Sequence, residues 1–139
     1  MDIEQTAAPL HTTLALDGLA GSIAAARTHA RAFLAECRHP PLTQATATDA
    51  LVLISELVTN AVRHSPGPCA LGLVYDGDAL VIAVSDTGPD LPRRRPGDLI
   101  TGAGGFGWNV LTSLTKDIRI TGHVGGWKTI VALLPVQPA

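Results

Sequence analysis

Two polar side chains, Glu56 and Asn60, lie four residues apart in an otherwise apolar stretch, DALVLISELVTNAVRHS, at residues 49–65. Residues four apart share one face of a helix, so the carboxylate and the carboxamide point the same way. Arg63 and His64 follow one turn further on. Such a pair could hold a metal ion and a reacting water or hydroxyl, or it could be two solvated surface residues. The remaining motifs have to decide between these alternatives.

A second candidate is the glycine cluster GAGGFG at residues 102–107, which formally matches GxGxxG. A dinucleotide-binding fold needs this motif directly after a buried strand, with an acidic residue about 20 positions later. A loop rich in proline and arginine precedes the glycines, and Trp127 occupies the later position, which disfavours a nicotinamide-dependent enzyme. Glycines still let backbone N–H groups approach an anion, and a helix beginning near Gly107 adds its positive end. Residues 104–108 are therefore a candidate phosphate site, with a ligand-free hinge as the alternative.

A third candidate is Asp86, which ends a predicted buried strand and is followed by Thr87 and Gly88. A carboxylate beside a glycine suits hydrogen bonding to an exocyclic amine such as that of adenine. An Asx turn that ends the strand explains the same residues. Lys128 and Thr129 open the last predicted strand, but the GxxxxGK[ST] spacing of a P-loop is absent. The histidines lack metal-ligand spacing, and no GxSxG motif offers a nucleophile for acyl transfer.

The elements that must position these residues follow the order β-α-α-β-β-loop-α-β-β. Strands are predicted near 12–16, 70–75, 79–85, 118–121 and 128–134. Helices are predicted from an N-cap at Ser22 to about 37, over 43–64 and over about 107–115. A loop is predicted over 89–104. Because helices and strands do not strictly alternate, we expect an α+β fold with a mixed, mainly antiparallel sheet and helices on one face. Residues 1–11 are expected to form a tail and residues 12–136 a single domain.

The composition is that of a globular domain, with 46% hydrophobic and 16% charged residues in 139. A net charge of −2 gives no reason to expect nucleic-acid or anionic-membrane binding, and 4% aromatic residues argue against a base-stacking platform. Cys37 and Cys69 show no CxxC spacing, which indicates buried thiols in a reduced compartment. We see no secretory signal and no apolar run near the ~20 residues of a membrane span, so we expect a cytoplasmic protein.

Four motifs, in order, resemble those of the histidine-kinase-like (GHKL) ATPase superfamily. ELVTNA at 56–61 resembles its N-box, DTG at 86–88 its first glycine box, GFGWNVL at 105–111 its second, and GWKT at 126–129 its C-terminal motif. The short stand-alone chain is similar to the bacterial anti-sigma-factor serine/threonine kinases of that superfamily. The resemblance covers nearly the whole chain, from about residue 14 to 135.

This resemblance implies a two-layer α/β sandwich, the Bergerat ATP-binding fold, with ATP held between the helices and the sheet. It implies that Asn60 is a ligand of Mg²⁺ and that Glu56 is the general base toward a serine or threonine hydroxyl of a partner protein. Asp86 would bind the adenine amino group, with Gly88 giving room and Thr129 assisting. The loop at 90–104 would cover the nucleotide. The other candidates for nucleotide contacts are Arg63, His64, Gly104, Gly105, Phe106, Gly107 and Trp108.

The expected function is that of an ATP- and Mg²⁺-dependent protein kinase that phosphorylates a small antagonist (anti-anti-sigma) protein and controls a sigma factor. A homodimer is one expected assembly. Phosphoryl transfer needs mainly positioning and charge stabilisation, so a small set of residues is sufficient. A non-catalytic module that binds ATP and a partner would use the same pocket. Pro89 after Gly88 and Trp127 before Lys128 depart from the family pattern, which keeps this alternative open.

Overall fold

The structure, a computed structural model, describes residues 8–65, 67–87, 117–122 and 126–136. In these parts the elements are β1 Leu10–Leu16, α1 Ser22–Glu36, α2 Gln44–His64, β2 Cys69–Tyr75, β3 Ala79–Asp86, β4 Asp117–Gly122 and β5 Lys128–Pro135. The strands form one sheet in the order β1-β2-β3-β5-β4, and each neighbouring pair is antiparallel. The predicted α+β architecture is confirmed. The described sheet is antiparallel throughout rather than mixed.

The β2–β3 hairpin forms because its turn supplies its own hydrogen bonds. The Asp76 carboxylate accepts from the backbone N–H groups of Asp78 and Ala79 at 2.8 and 2.9 Å, and these bonds lower the pKa of Asp76. Gly77 takes a φ of +96°, a conformation that glycine adopts without strain. The sequence predicted this hairpin, and each strand is one residue longer than expected, with β2 beginning at Cys69 and β3 ending at Asp86.

The core lies between the helices and one face of the sheet. Buried and half-buried positions alternate along β2, β3 and β5, as expected for strands with one face covered. Leu53, Ile54 and Leu57 of α2 are fully buried in this core. Burying each such side chain contributes about 1.5–3 kcal/mol, so the apolar stripe fixes which face of α2 meets the sheet.

Helix α2 is capped by Thr43, whose side chain accepts from the Thr46 N–H at 3.1 Å. Its 21 residues are long and apolar enough, by length and composition, to cross a membrane. This corrects the expectation that no apolar stretch approaches that length. Most apolar residues of α2 are buried in the core that α2 shares with α1 and the sheet, although Val52 is exposed. A core helix of a folded domain has the same composition.

Two loops at the start of α1 and the end of α2 touch each other. Gly18 has a φ of +80°, and a Cβ built there would lie 1.9 Å from the carbonyl oxygen of Gly67. The turn is closed by Ser22, whose hydroxyl accepts from the Gly18 N–H at 3.1 Å and donates to Asp17 Oδ1 at 2.9 Å. Ser22 is the first helical residue and Gly21 is the N-cap, so the prediction of Ser22 as the cap was wrong. Ser22 instead uses its hydroxyl to close the turn.

At the other end of β2, its last residue, Tyr75, contacts the loop between the two helices. Its hydroxyl donates to the carbonyl of Pro40, in the loop between the helices, and the ring is 3% exposed. Burial raises the pKa of this phenol, which therefore stays a donor. The bond holds the α1–α2 loop against the sheet.

Candidate functional site

Strand pairing brings one row of residues together at a single end of the sheet. In register across the five strands, this row is Leu16, Cys69, Asp86, Lys128 and Gly122. We call this the Asp86 end. Helix α2 ends at His64 and continues into β2 through residues 65–68, so its last turns lie at the same end. The fold therefore places the last turns of α2, which carry Asn60, Arg63 and His64, at the end of the sheet where β3 stops.

Asp86 and Lys128 form a buried ion pair there. Lys128 Nζ donates to Asp86 Oδ1 at 2.6 Å, and the two side chains are 4% and 1% exposed. Both continue the series of buried positions in their strands, so both lie on the helix side of the sheet. Removing two charges from water costs several kcal/mol per ion, which their attraction offsets only with good geometry. Such a pair is weak evidence for stability, and it marks a candidate functional position.

Cys69 lies directly across from Asp86 on β2. Burial raises the pKa of the Cys69 thiol, and the carboxylates of Asp86 and Asp17 raise it further. The thiol therefore stays neutral near pH 7 and adds no charge to the Asp86 end. Both cysteines are free and buried, as predicted.

Glu56 and Asn60 lie at the edge of the buried face of α2. Both are half-buried, and the neighbouring Leu57 and Ala61 are 0% and 2% exposed. A fully solvated pair, one of the two alternatives left open by the sequence, does not match this position. Arg63 and His64 are exposed in the last turn, where basic residues suit the carbonyl end of a helix.

The residue that follows α2 carries a buried hydroxyl. Ser65 is 4% exposed, and within the described parts of the chain its Oγ has no hydrogen-bond partner. Leaving such a group unsatisfied costs about 1–3 kcal/mol. The Ser65 hydroxyl could donate a hydrogen bond to, or accept one from, a polar molecule bound at this end.

Thr129 lies on the other side of the sheet from Asp86. Its hydroxyl is 2.8 Å from that of Ser85, its partner across β3 and β5. Successive side chains of a strand point to opposite faces, so the structure does not bring Thr129 onto the surface that carries Asp86 and Lys128. A contribution of Thr129 to nucleotide binding stays a prediction.

Several predicted site residues fall outside the described residues: Gly88, Gly104, Gly105, Phe106, Gly107 and Trp108, together with the loop at 89–104 and the helix at about 107–115. Sequence reasoning missed Lys128 as a site residue, although a signal was available. Lys128, Ile130 and Ala132 alternate along the last strand. This spacing places a lysine on the buried face, where lysine is rarely found without a partner.

Comparison with known proteins identifies the family. The sequence matches the family model described as "Histidine kinase-like ATPase domain" over residues 19–133. The chain belongs to this family of histidine kinase-like ATPases. The matched range includes α2 with Glu56 and Asn60 as well as the ion pair at the Asp86 end.

Among solved structures, this ATPase domain is similar to the crystal structure of the RsbU and RsbW domains of Rv1364c from Mycobacterium tuberculosis, with a TM-score of 0.64 and 23% identity. The alignment covers 96% of this chain and 33% of that chain, so the domain spans about a third of its length. At this identity the likeness shows the fold alone. No curated protein sequence matches the chain.

The family implies ATP, and typically Mg²⁺ with it, and the donors of the domain fit both. Carboxylate and carboxamide oxygens, as in Glu56 and Asn60, are hard ligands of the kind that Mg²⁺ binds. No group of three His, Cys, Asp or Glu that could cage a metal occurs within the described ranges. A Mg²⁺ ion that accompanies a nucleotide needs only one or two protein oxygens, because phosphates and water supply the rest. Asp86 offers a buried acceptor and Ser65 a buried hydroxyl.

Proposed function

We propose that this chain is an ATP-binding regulatory serine/threonine protein kinase of the anti-sigma-factor kind. The observation that carries the proposal is a histidine kinase-like ATPase domain in which α2 holds a half-buried carboxylate and carboxamide, Glu56 and Asn60, on one face. This face runs toward the Asp86 end, where the buried carboxylate of Asp86 ends β3. The proposal thereby assigns recognition of the adenine base to β3 and phosphoryl transfer to α2. These two elements pack on each other.

Each residue has one role in the proposal. Asp86 accepts a hydrogen bond from the amino group of adenine, and Asn60 contributes an oxygen to Mg²⁺, which when bound neutralises charge on the phosphates. Glu56 takes the proton from a serine or threonine hydroxyl of the partner. A bond forms between that hydroxyl oxygen and the γ-phosphorus, and the bond between γ-phosphorus and the bridging oxygen breaks to leave ADP.

The proposed substrate is a small antagonist protein, and the proposed regulated partner is a sigma factor. Support comes from the sequence motifs and from the likeness to a chain that contains an RsbW domain. The proposal places this cycle in the cytoplasm, where ATP and sigma factors are found.

The test of Glu56 is phosphoryl transfer from labelled Mg-ATP to candidate antagonist proteins, identified by pull-down with the full chain. Removing a general base lowers the rate by about 10²–10⁴-fold, so Glu56→Gln should lose transfer while still binding ATP in calorimetry. Glu36→Gln is the matched control, because Glu36 is exposed at the far end of α1. Undiminished transfer by Glu56→Gln would remove Glu56 from this role.

The test of Asn60 compares ATP affinity with and without Mg²⁺. Asn60→Ala should lose the gain in affinity that Mg²⁺ gives the wild type, whereas Gln44→Ala, at the exposed first position of the same helix, should keep it. A full Mg²⁺ effect in Asn60→Ala would contradict the assignment. ATP binding without transfer to a partner that the chain does bind would favour a non-catalytic regulatory module.

A further inference from the structure

A groove with a volume of about 380 Å³ lies between the end of α1 and the start of α2. Its buried and half-buried lining is mainly apolar, and two cations stand at its exposed rim. The apolar residues are Leu34, Leu42, Ala47 and Leu51, and the cations are Arg31 and Arg38. We call this the α1–α2 groove. An apolar centre with a polar rim, in which arginine is common, is the usual composition of a protein interface.

The α1–α2 groove is separate from the proposed nucleotide site. Gln44, which lines the groove, and Asn60 are about 24 Å apart along the axis of α2, at a rise of about 1.5 Å per residue. The two surfaces also lie on different faces of this helix. At about 100° per residue, Glu56 and Asn60 are about 140° and 180° around the axis from Leu51, which lines the groove. A molecule in the groove therefore does not compete with one at the Asp86 end.

The charge of the α1–α2 groove is positive. Among the described residues that line it, the charged ones are Arg31 and Arg38, and both are exposed. Within the described ranges neither guanidinium belongs to an ion pair, and Arg38 Nε donates to the carbonyl of Ala35 at 3.4 Å. A guanidinium has five N–H donors, so the terminal groups of Arg38 remain for another acceptor. The groove therefore suits a partner that carries carboxylates.

Bonds within the domain hold the walls of the α1–α2 groove in place. The loop that follows α1 is fixed by the Tyr75 hydroxyl, which donates to the Pro40 carbonyl at 2.5 Å, and by a β-bridge between Arg38 and Pro41. Thr43, where this loop meets α2, caps that helix. The groove is therefore formed without a partner, and binding does not have to pay the entropy of ordering this loop.

We propose that the α1–α2 groove binds an amphipathic helix of a partner protein, with aliphatic side chains on one face and Asp or Glu beside them. The aliphatic side chains pack against Leu34, Ala47 and Leu51, as in other complexes in which a helix lies in an apolar groove. The carboxylates pair with Arg31 and Arg38. The groove is a second binding surface of the domain, independent of the proposed phosphoryl transfer.

The walls of the groove favour a helix over other occupants. Both walls are helices, whose backbone N–H and C=O groups are paired within each helix. An extended segment would therefore leave its own backbone groups unpaired against the apolar lining, whereas a helix satisfies them internally. Small-molecule sites cover most of their ligand, but the groove is open to solvent, with Ala35 and Gln44 exposed along its lining.

The experiment selects binders of the full chain from a displayed library of helical peptides of about 18 residues. Leucines are fixed at i, i+3, i+4 and i+7, and the flanking positions vary among Glu, Lys and Ser. The enriched peptides should carry Glu, and their affinity is measured by fluorescence anisotropy. Arg31→Glu/Arg38→Glu should weaken their binding by about 30-fold or more and should favour the Lys peptides instead, because like charges then face each other. Arg27→Glu/Arg119→Glu is the control, since it changes the net charge equally at exposed positions that do not line the groove.

A second pair of variants tests the apolar lining without a change of charge. Ala47→Phe fills the groove and should weaken binding of the acidic peptides by about tenfold or more. Ala45→Phe, the same substitution at an exposed position of α2 outside the groove, should leave their affinity unchanged. Circular dichroism checks that each variant is folded. Should Ala47→Phe fail to fold, Ala35→Glu at an exposed lining position replaces it, because its carboxylate repels the same peptides.

Several results would overturn the proposal. These are enrichment of basic or uncharged peptides, the absence of any enriched peptide, and acidic binders whose affinity is the same in the groove variants as in the wild type. Sedimentation of the full chain tests a second copy as the occupant. A dimer of the wild type that Ala47→Phe dissociates would assign the groove to the chain itself and would also overturn the proposal.

The proposed function and this inference can fail separately, because the peptide assay needs no nucleotide. The groove variants should bind Mg-ATP in calorimetry with the affinity of the wild type. A wild type that binds acidic peptides in the groove but no ATP would refute the proposed function alone. A wild type that binds ATP, and no peptide that depends on Arg31, Arg38 or Ala47, would refute the groove alone.

Discussion

Breaking the buried ion pair from one side should destabilise the domain far more than removing it altogether. Lys128→Met leaves the Asp86 carboxylate at 1% exposure without the ammonium that lies 2.6 Å away. Removing one partner of a buried pair costs about 3–5 kcal/mol. In the double variant Asp86→Asn/Lys128→Met no charge is left in the core, so at least about 2 kcal/mol of this loss should return.

The magnitude can be compared with a second ion pair in the same sheet. Arg119 Nε lies 3.0 Å from Asp117 Oδ2, but their side chains are 79% and 45% exposed. Exposed pairs contribute about 0.2–1 kcal/mol, because water screens the charges and two long side chains lose freedom. Arg119→Met should therefore change stability by under about 1 kcal/mol, and the contrast isolates the effect of burial.

Urea unfolding at pH 7, followed by circular dichroism, measures all of these variants. With a slope of about 1–3 kcal/mol per molar urea, the midpoint of Lys128→Met should fall by more than about 1 M, and that of the double variant should recover part of the shift. The reasoning fails if Lys128→Met costs no more than Arg119→Met, or if the double variant is no more stable than Lys128→Met.

Three further variants test other parts of the fold by the same assay. Gly18→Ala should lower the free energy of unfolding by more than about 2 kcal/mol, because its Cβ would lie 1.9 Å from the Gly67 carbonyl oxygen at a φ of +80°. Gly21→Ala, with open space around it, should change that free energy by no more than about 0.5 kcal/mol. Equal effects of the two substitutions would contradict the geometry. Tyr75→Phe should cost about 1 kcal/mol by removing its bond to the loop between the helices, and an unchanged midpoint would show that the bond does not contribute. Burial raises the pKa of the Cys37 thiol to about 11. As the pH rises from about 9 to 11, the unfolded state loses the thiol proton that the folded state keeps, so the free energy of unfolding should fall over this range. The part of the pH dependence that Cys37 causes should be missing in Cys37→Ala.

Local signals in the sequence were sufficient to predict the helices and strands that the structure describes. Thr43 and His64 bound α2 because a hydroxyl cap and a following Ser-Pro-Gly-Pro segment act within a few residues. The β2–β3 hairpin was predictable because Asp76 and Gly77 meet the requirements of the turn within the turn itself. These physical causes are contained in short stretches of chain.

Pairings between distant strands could not be obtained in the same way. β5 lies between β3 and β4, so chain order does not give sheet order. Asp86 and Lys128 are 42 positions apart, and neither residue carries a local signal for the other. The sequence therefore indicated Asp86 as a candidate and grouped Lys128 with an ordinary strand. Thr129 was assigned to the site by resemblance, and only the register shows that it shares a face with Ser85.

The register of β3 and β5 links the stability of the sheet to the chemistry of the site. Ile82 opposite Ala132 and Val84 opposite Ile130 are buried pairs, and this alternation continues to Asp86 opposite Lys128. A slip of β5 by one residue would turn its apolar side chains outward and bring Thr129 to the helix side in place of Lys128. The core thus strongly disfavours any register that separates the ammonium from Asp86. For this reason the apolar alternation of two strands also determines the charges at the Asp86 end, where we propose that the nucleotide base binds.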